Sequence, residues 1–390
     1  MVYKKIKKII LEKRLFKTII KELYPYFLGF YIFFFKRKNK NIKIYTSKLI
    51  KPNKNDLELG DRIFKSFKLM KENQKNSNDI FKPSSLWQSH IDNDFDVMSN
   101  SLKTNDVEKF CFFLVNFGNW EKYLGIEDQN KVRKYNSNII LRSFLENHIF
   151  EKQLKIWKFF LNDDNHISEL NLPKFGNQIG AEIDGNFLVE GSFFSHFYAN
   201  LLNIFIKNIN RPIIADLGAG YGKLAYYILK NKKEFCFIDF DLPETLCLAS
   251  FYLIKTWPGK KSFLYGESNF SNEITSKYDL IFLPNFEIEK IQKNTIDLFI
   301  NKNSLGEMKP ETSKKFIKNI CNISKIFFHM NHETFRNKFE NGSSSLINDE
   351  YPITSDFELI FRRPDFGHII NQNSYLDFDS DIFVYLYKQK

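Results

Sequence analysis

Cysteine, glycine and proline are scarce in this chain of 390 residues. The four cysteines, Cys111, Cys236, Cys247 and Cys321, include no CxxC pair. A disulfide scaffold and a cysteine-ligated zinc site are therefore not expected. The counts of 16 glycines and 11 prolines exclude a collagen-like or linker-like chain. No apolar run reaches the roughly 18 residues that a membrane-spanning helix needs.

Arginine is also scarce, with 9 residues against 48 lysines, while phenylalanine (43) and asparagine (40) are abundant. These residue types have AT-rich codons, so a single lysine or phenylalanine is not a functional signal by itself. The position of the charge is more informative. Residues 1–40 hold 12 Lys or Arg and 2 Asp or Glu, a net charge of +10, whereas the other 350 residues hold 45 and 44, a net charge of +1. The nearly neutral body disfavours a nucleic-acid-binding face.

The basic segment 1–40 combines its charge with apolar and aromatic residues. Its apolar residues recur at nearly helical spacing, at Ile6, Ile9, Ile10, Phe16, Ile20 and Leu23. The apolar run Leu23 to Phe35 follows; it is too short to span a bilayer. A secretory signal is rejected because cations follow this run and no small-residue cleavage site does. Two interpretations stay open: a helix lying on the anionic inner face of the membrane, or a helix packed on the protein's own body.

The rest of the chain divides into three regions by pattern. Residues 41–83 are largely Lys/Asn-rich and linker-like, and residues 84–175 have a mostly helical pattern. From residue 176 to 390 glycines appear, and short apolar strands then alternate with helices. Such alternation predicts an α/β fold with a doubly wound, Rossmann-like parallel sheet. Two late strands predict an antiparallel C-terminal edge hairpin.

A glycine loop follows the first strand of this region, Ile213 to Leu217. The loop contains Gly218, Gly220 and Gly222, and the first of these lies two residues after Asp216. Glycines let the backbone turn tightly and approach a ligand. In the dinucleotide motif GxGxxG the third glycine would fall at residue 223. Its position at 222 favours S-adenosylmethionine over NAD, so we predict that Asp216 and the three glycines contact this cofactor.

Acidic residues end the next strand, where Asp239 and Asp241 precede Leu242 and Pro243. A carboxylate at this place can accept hydrogen bonds from both hydroxyls of a ribose. We therefore predict that Asp239, Asp241 and Leu242 also contact the cofactor. Asp241 can at the same time cap the helix that Pro243 begins.

These motifs resemble those of class I S-adenosylmethionine-dependent methyltransferases, especially small-molecule O-methyltransferases. The segment from Asp297 to Met308, with Asn301, Ser304 and Glu307, is similar to an N-x-x-S-x-x-E-M segment of a bacterial sugar O-methyltransferase family found among surface-polysaccharide genes. The resemblance covers about residues 175–390. It implies transfer of a methyl group from S-adenosylmethionine to a sugar hydroxyl.

A hydroxyl acceptor needs a base that removes its proton. Glu307 and His332 are the predicted catalytic residues because they follow the fourth and fifth strands, at the edge where such sheets bind ligands. Asn301 and Ser304 are predicted to orient the acceptor, whereas His329 lies inside a strand and is expected to be buried. No compact cluster of metal ligands is visible, and no metal is predicted.

The sequence thus predicts a cytoplasmic enzyme that methylates a sugar or glycan, with peripheral membrane contact through residues 1–40. Two alternatives remain open. One is an O-methyltransferase that acts on a lipid or another small molecule, which the aromatic N-terminal segment would suit. The other is a methyltransferase-like scaffold without activity. Neither the acceptor nor the oligomeric state can be read from the sequence.

Overall fold

The computed structural model describes residues 30–31, 33–35, 37–45, 48–125, 139–161, 166–271, 273–365 and 381–390. Most of the basic segment 1–40, including its predicted apolar stripe, lies outside these residues. In chain order the regular elements are β1 (Ile42–Tyr45), α1 (Lys54–Asn76), α2 (Ser85–Asn93), α3 (Asp96–Thr104), α4 (Val107–Leu114), α5 (Ile139–Phe160), β2 (Gly180–Ile183), β3 (Asn186–Leu188), α6 (Ser192–Ile206), β4 (Ile213–Leu217), α7 (Lys223–Leu229), β5 (Cys236–Asp241), α8 (Pro243–Thr256), β6 (Ser262–Leu264), α9 (Ile274–Lys277), β7 (Leu280–Pro284), β8 (Leu298–Lys302), α10 (Pro310–Ile323), β9 (Ile326–His332), β10 (Phe357–Pro364) and β11 (Ile382–Gln389).

Eight strands form the central sheet in the order β10-β11-β9-β8-β4-β5-β7-β6. Strands β4 to β9 are parallel, whereas β11 is antiparallel to β9 and β10 is antiparallel to β11. The strand order reverses at β4, which has β5 on one side and β8 on the other. A crevice forms beyond the carboxyl ends of strands at such a point. The predicted doubly wound sheet with an antiparallel C-terminal hairpin is confirmed.

Alternate residues of the central strands pack into two hydrophobic cores on opposite faces of the sheet. Ile214 and Phe237 belong to one core, which helices α1, α6, α7 and α8 cover. Ala215 and Ile238 belong to the other, which α10 covers. The sheet is therefore buried on both faces, as a parallel sheet requires.

Helix α1 lies within residues 41–83, which were predicted to be linker-like. A capping box begins this 23-residue helix: the Asn53 side chain accepts a hydrogen bond from the Asp56 amide at 2.9 Å, and the Asp56 carboxylate accepts one from the Asn53 amide at 3.0 Å. Ile63 and Phe67 are buried on its apolar face. The linker prediction is wrong here because abundant lysine masks an apolar face that repeats at helical spacing.

Polar contacts join α1 to the edge of the central sheet. The Arg62 guanidinium donates hydrogen bonds to the Ser262 carbonyl at 2.7 Å and to the Glu267 carboxylate at 2.9 Å. The Ser66 hydroxyl donates to the Tyr265 carbonyl at 2.8 Å. The apolar face of α1 meanwhile belongs to the same core as α8. The N-terminal helices and the sheet therefore share one hydrophobic core.

A small antiparallel sheet connects the N-terminal region to the segment before the glycine loop. Strand β1 pairs with β2, with Ile42 opposite Ile183, and β2 pairs with β3. The pairing crosses the predicted domain boundary at residues 175 and 176, so that boundary does not separate two packing units. No helix in the described part of the chain has both the length and the apolar character needed to cross a membrane.

Candidate functional site

The glycine loop connects β4 to α7. Gly218, Gly220 and Gly222 have φ angles of +86°, +64° and +90°, a region that side-chain-bearing residues rarely adopt. A Cβ atom on Gly218 would lie 2.8 Å from the Ser304 side chain, and one on Gly222 would lie 2.8 Å from a methyl group of Leu253. A Cβ atom on Gly220 would meet nothing within 4 Å. Two glycines therefore allow the loop to pack, while Gly220 leaves open space in the cavity.

Two carboxylates lie beside this loop. Asp216 is buried, and its Oδ1 atom has no hydrogen-bond partner in the part of the chain that the structure describes. Burial, and then the nearby charge of Asp241, raise the pKa of Asp216 to about 8, although Lys302 opposes the shift. Burial also raises the pKa of Asp241 to about 7. An unneutralised buried carboxylate is costly, so this pair favours a cationic ligand.

The two other residues predicted at the end of β5 occupy different places. Leu242 lines the cavity, and its amide donates a hydrogen bond to the Asp241 carboxylate at 2.7 Å. Asp239 is fully buried within the sheet beside Asp216 and does not line the cavity. Burial, with the charges of Asp241 and Asp216, raises the pKa of Asp239. A direct contact between Asp239 and a cofactor stays a prediction.

A cavity of about 490 Å³ opens at the carboxyl ends of β4, β5 and β8. The glycine loop with Asp216 and Asp241 forms one part of its wall. Residues of the loop after β8 form another, and the N-terminal region contributes a third. The loop after β8 contributes Ser304, Glu307, Met308 and Lys309. The N-terminal region contributes Lys82, Ser84, Trp87 and Tyr123. The N-terminal region therefore helps to build the site.

The predicted acceptor residues Asn301 and Ser304 fix the loop after β8. The Asn301 amide is fully buried; its Nδ2 atom donates a hydrogen bond to the Leu217 carbonyl at 2.9 Å, and its Oδ1 atom accepts one from Asn331 at 3.0 Å. Asn301 does not line the cavity. Ser304 does, but its hydroxyl donates to the same Leu217 carbonyl at 2.8 Å. Both side chains hold this loop against the end of β4, so their predicted contact with an acceptor stays untested.

Glu307 ends the short 3₁₀ turn Ser304–Glu307 and lines the cavity. Its Oε2 atom accepts a hydrogen bond from the indole Nε1 of Trp87 at 2.7 Å. Burial raises the pKa of Glu307, while the Trp87 hydrogen bond and the charge of His90 act in the opposite direction. Among the described residues, none donates a hydrogen bond to Oε1. The carboxylate is therefore held at one oxygen atom and available at the other.

His332, the other predicted catalytic residue, is the last residue of β9. Its Nδ1 atom lies 2.7 Å from the Asp381 carboxylate, and its ring packs 5.0 Å from the ring of Phe335. A Cβ atom on Gly306 would lie 3.4 Å from His332, which does not line the cavity. His332 therefore lies behind the loop that carries Glu307. His329 is fully buried, as expected, and burial lowers its pKa to about 3.

Several residues of the cavity wall have no recognisable signal in the sequence. Trp87 and Tyr123 belong to the helical region and lie far along the chain from the glycine loop. The Tyr198 hydroxyl donates a hydrogen bond to the Asp365 carboxylate at 2.6 Å, and both line the cavity. Only the tertiary fold brings these residues together. Within the described ranges there is no group of three or more His, Cys, Asp or Glu side chains that could hold a metal ion.

Comparison with known proteins gives only distant likeness. No protein-family model matches the chain, and no curated protein sequence matches it. Mitomycin 7-O-methyltransferase MmcR is 11% identical, with a TM-score of 0.33, over 51% of this chain and 55% of that chain. An S-adenosylmethionine-dependent methyltransferase from Clostridium acetobutylicum is 11% identical, with a TM-score of 0.33, over 62% of this chain and 98% of that chain.

A third solved structure, 1,6-didemethyltoxoflavin-N1-methyltransferase from Burkholderia thailandensis, contains S-adenosylhomocysteine. It is 14% identical, with a TM-score of 0.33, over 50% of this chain and 78% of that chain. TM-scores of this size do not support an inference about the ligand or the reaction of the present chain. Both must be inferred from the cavity itself.

Proposed function

We propose that this chain is an S-adenosylmethionine-dependent O-methyltransferase whose acceptor is a sugar hydroxyl. The observation that carries the proposal is one cavity in which the glycine loop and Asp241 share the wall with Glu307. Its volume of about 490 Å³ lies within the range of small-molecule sites. The site therefore has a part for a cofactor and a part with an available base.

The charge of the cofactor part supports S-adenosylmethionine. The Oδ1 atom of Asp216 is buried without a partner in the described structure, and Asp241 adds a second carboxylate. S-adenosylmethionine carries a sulfonium and an ammonium group, which would compensate this negative charge. The pyrophosphate of a dinucleotide would add to it. Asp241, at the end of β5, would hold the ribose hydroxyls, and Gly220 leaves room for the ligand.

Glu307 supplies the acid–base chemistry in this proposal. S-adenosylmethionine, when bound, provides a methyl group that a nucleophilic oxygen can attack. The Oε1 atom of Glu307 would accept the proton of the acceptor hydroxyl when this oxygen displaces S-adenosylhomocysteine from the methyl carbon. Burial raises the pKa of Glu307, which makes its carboxylate a stronger base. The Oε2 atom keeps its hydrogen bond to Trp87 during this step.

The choice of a sugar rests on the resemblance of the segment from Asp297 to Met308 to sugar O-methyltransferases. The cavity suits this class because the rings of Trp87 and Tyr123 lie in the same wall as polar groups such as Ser84. A sugar presents both hydroxyls and an apolar C–H face to such a wall. We propose that the reaction belongs to surface-polysaccharide synthesis in the cytoplasm.

We also propose that residues 1–40 attach the protein to an anionic membrane surface. Phe30, Tyr31, Phe34 and Phe35 are 50 to 74% exposed in the described part of this segment. The segment carries +10 of the net charge of +11. Exposed aromatic rings beside a basic segment are typical of interfacial attachment, in which each cation contributes about 1 kcal/mol.

The deciding experiment incubates the purified chain with S-adenosylmethionine labelled in the methyl group. The acceptors are nucleotide sugars and glycan fractions, with lipid extracts as the comparison class. We expect label in a sugar product. The turnover of Glu307→Gln should be lower than that of the wild type by at least about a hundredfold. The affinity of this variant for S-adenosylhomocysteine, measured by calorimetry, should stay close to that of the wild type. Label in lipid alone would contradict the sugar acceptor, and no heat with the wild type would contradict the cofactor.

A further inference from the structure

The helical N-terminal region reaches the proposed base through one side chain. Trp87 lies in the first turn of α2, and its indole donates the hydrogen bond to Glu307 across a separation of 220 residues. Both residues line the cavity. No other described residue donates to this carboxylate. The orientation of Glu307 therefore depends on a part of the chain outside the methyltransferase-like segment.

Several contacts fix α2 against the sheet. The turn that precedes it packs on α10, where the ring of Phe81 lies 5.5 Å from that of Phe316. The Thr312 hydroxyl donates a hydrogen bond to the Ile80 carbonyl at 2.9 Å, and the Asn285 amide donates one to the Phe81 carbonyl at 3.0 Å. Both donors come from loops or helices of the sheet region. The helix is therefore anchored from the side that carries Glu307.

The indole ring of Trp87 is also held in place. Gly125 has a φ angle of +73°, and a Cβ atom there would lie 3.1 Å from the Cη2 atom of Trp87. The ring of His90, one turn further along α2, lies 5.5 Å from that of Trp87. A ring packed between neighbours keeps its N–H group aimed in one direction. Trp87 is thus a preorganised donor.

We propose that Trp87 is a positioning residue that holds the Glu307 carboxylate so that its Oε1 atom faces the acceptor hydroxyl. The inference rests on the proposed function. The indole N–H is a neutral donor, so it occupies one oxygen of Glu307 and leaves the negative charge of the carboxylate in place. A lysine or arginine partner would cancel this charge. Loss of the donor leaves Glu307 able to rotate and less stable as an anion. The N-terminal helices are on this view part of the catalytic unit.

The first test removes the indole N–H group together with part of the ring, with Trp87→Phe. We expect turnover about tenfold to a hundredfold lower, because a hydrogen bond to a charged group is lost, with unchanged affinity for S-adenosylhomocysteine. The acid limb of the pH–rate profile should move to higher pH, since this bond lowers the pKa of Glu307. The matched control is Trp120→Phe. The Trp120 indole nitrogen has no hydrogen-bond partner among the described residues, and Trp120 does not line the cavity.

The charged groups around Glu307 decide how the pH profile is interpreted. His90 of α2 faces it, and Lys82, Lys302 and Lys309 line the same cavity from the turn before α2, from β8 and from the loop of Glu307. His90→Asn is measured in parallel, because His90 itself acts on the pKa of Glu307. A shifted acid limb in Trp87→Phe that persists with His90→Asn supports the proposal.

A second test needs no acceptor. The chain has four tryptophans, so ¹⁵N-labelled indole signals are few, and Trp87→Phe assigns the signal of Trp87. This signal should titrate in the wild type and lose its titration in Glu307→Gln, while that of Trp120 stays constant. The proposal is overturned if the Trp87 signal titrates in the same way in Glu307→Gln as in the wild type. It is also overturned if Trp87→Phe has the pH–rate profile of the wild type. A titrating signal in a protein without methyl transfer supports the pairing and overturns the proposed function instead.

Discussion

The alanine variant of Gly220 separates cofactor binding from backbone strain. Gly220 has a φ angle of +64°, lines the cavity, and leaves open space where its Cβ atom would stand. Gly185, in the turn between β2 and β3, provides the matched control. It has a φ angle of +78° and equally open space, but it does not line the cavity. The two substitutions therefore impose similar strain and differ only in what the new methyl group faces.

The magnitudes follow from the two positions. A residue with a side chain in the left-handed region costs roughly 1–2 kcal/mol, so both variants should lose about this much free energy of unfolding. Only Gly220→Ala places a methyl group against the ligand. Overpacking of one methyl group costs about 1–3 kcal/mol, which corresponds to a roughly 5- to 150-fold weaker Kd. Valine at this position would add the strain of a branched side chain and obscure the comparison.

Two measurements on the same samples test this prediction. Urea denaturation gives the free energy of unfolding, and calorimetry with S-adenosylhomocysteine gives the Kd. We expect similar losses of stability in the two variants, but weaker binding only in Gly220→Ala. Equal Kd values for Gly220→Ala and the wild type would refute the placement of the ligand against this loop. Equal weakening in Gly185→Ala would trace the loss to general destabilisation.

Four further outcomes are expected. Cofactor affinity should weaken as the pH falls below about 8, because Asp216 and Asp241, with pKa values raised to about 8 and 7, take up protons that a cationic ligand must displace. The limit is about tenfold per pH unit while one proton is displaced and about a hundredfold once both are; calorimetry in buffers of different ionisation enthalpy measures the released protons. Phe67→Ala should lower the free energy of unfolding by about 3–5 kcal/mol in urea, since its ring is fully buried. Deletion of residues 1–36 should abolish salt-sensitive co-sedimentation with anionic vesicles but not cofactor binding; equal sedimentation would contradict the anchor. His332→Gln should leave turnover near that of the wild type, and a loss as large as that of Glu307→Gln would contradict its position behind the cavity wall.

The sheet and the glycine loop could be predicted because their signals are local. Strand β4, its three glycines and the acid at the end of β5 lie within 29 consecutive residues, from 213 to 241. Hydrophobic alternation and glycine spacing depend only on near neighbours in sequence. The same holds for the antiparallel hairpin of β10 and β11. These features could therefore be predicted from the sequence.

The role of individual polar side chains was less accessible. Asn301 and Ser304 were predicted to orient the acceptor, yet both donate hydrogen bonds to the Leu217 carbonyl. Whether an amide at the end of a strand faces the core or the cavity depends on the neighbouring strands. The Trp87 contact to Glu307 depends on even more of the fold, since 220 residues separate the two. Helix α1 was missed because abundant lysine hid its apolar face.

The position of α1 has a consequence for the order in which the chain is made. The hydrogen bond from Arg62 to Glu267 can form only after Glu267, 205 residues further along the chain, has been synthesised. At a synthesis rate of about 5–20 residues per second, this delay lasts roughly 10–40 seconds. During that time the apolar face around Phe67 has no sheet to cover it. The apolar face of α1 can pack early on Phe110 of α4, but its contacts with the sheet form only after the third strand of the parallel sheet has been synthesised.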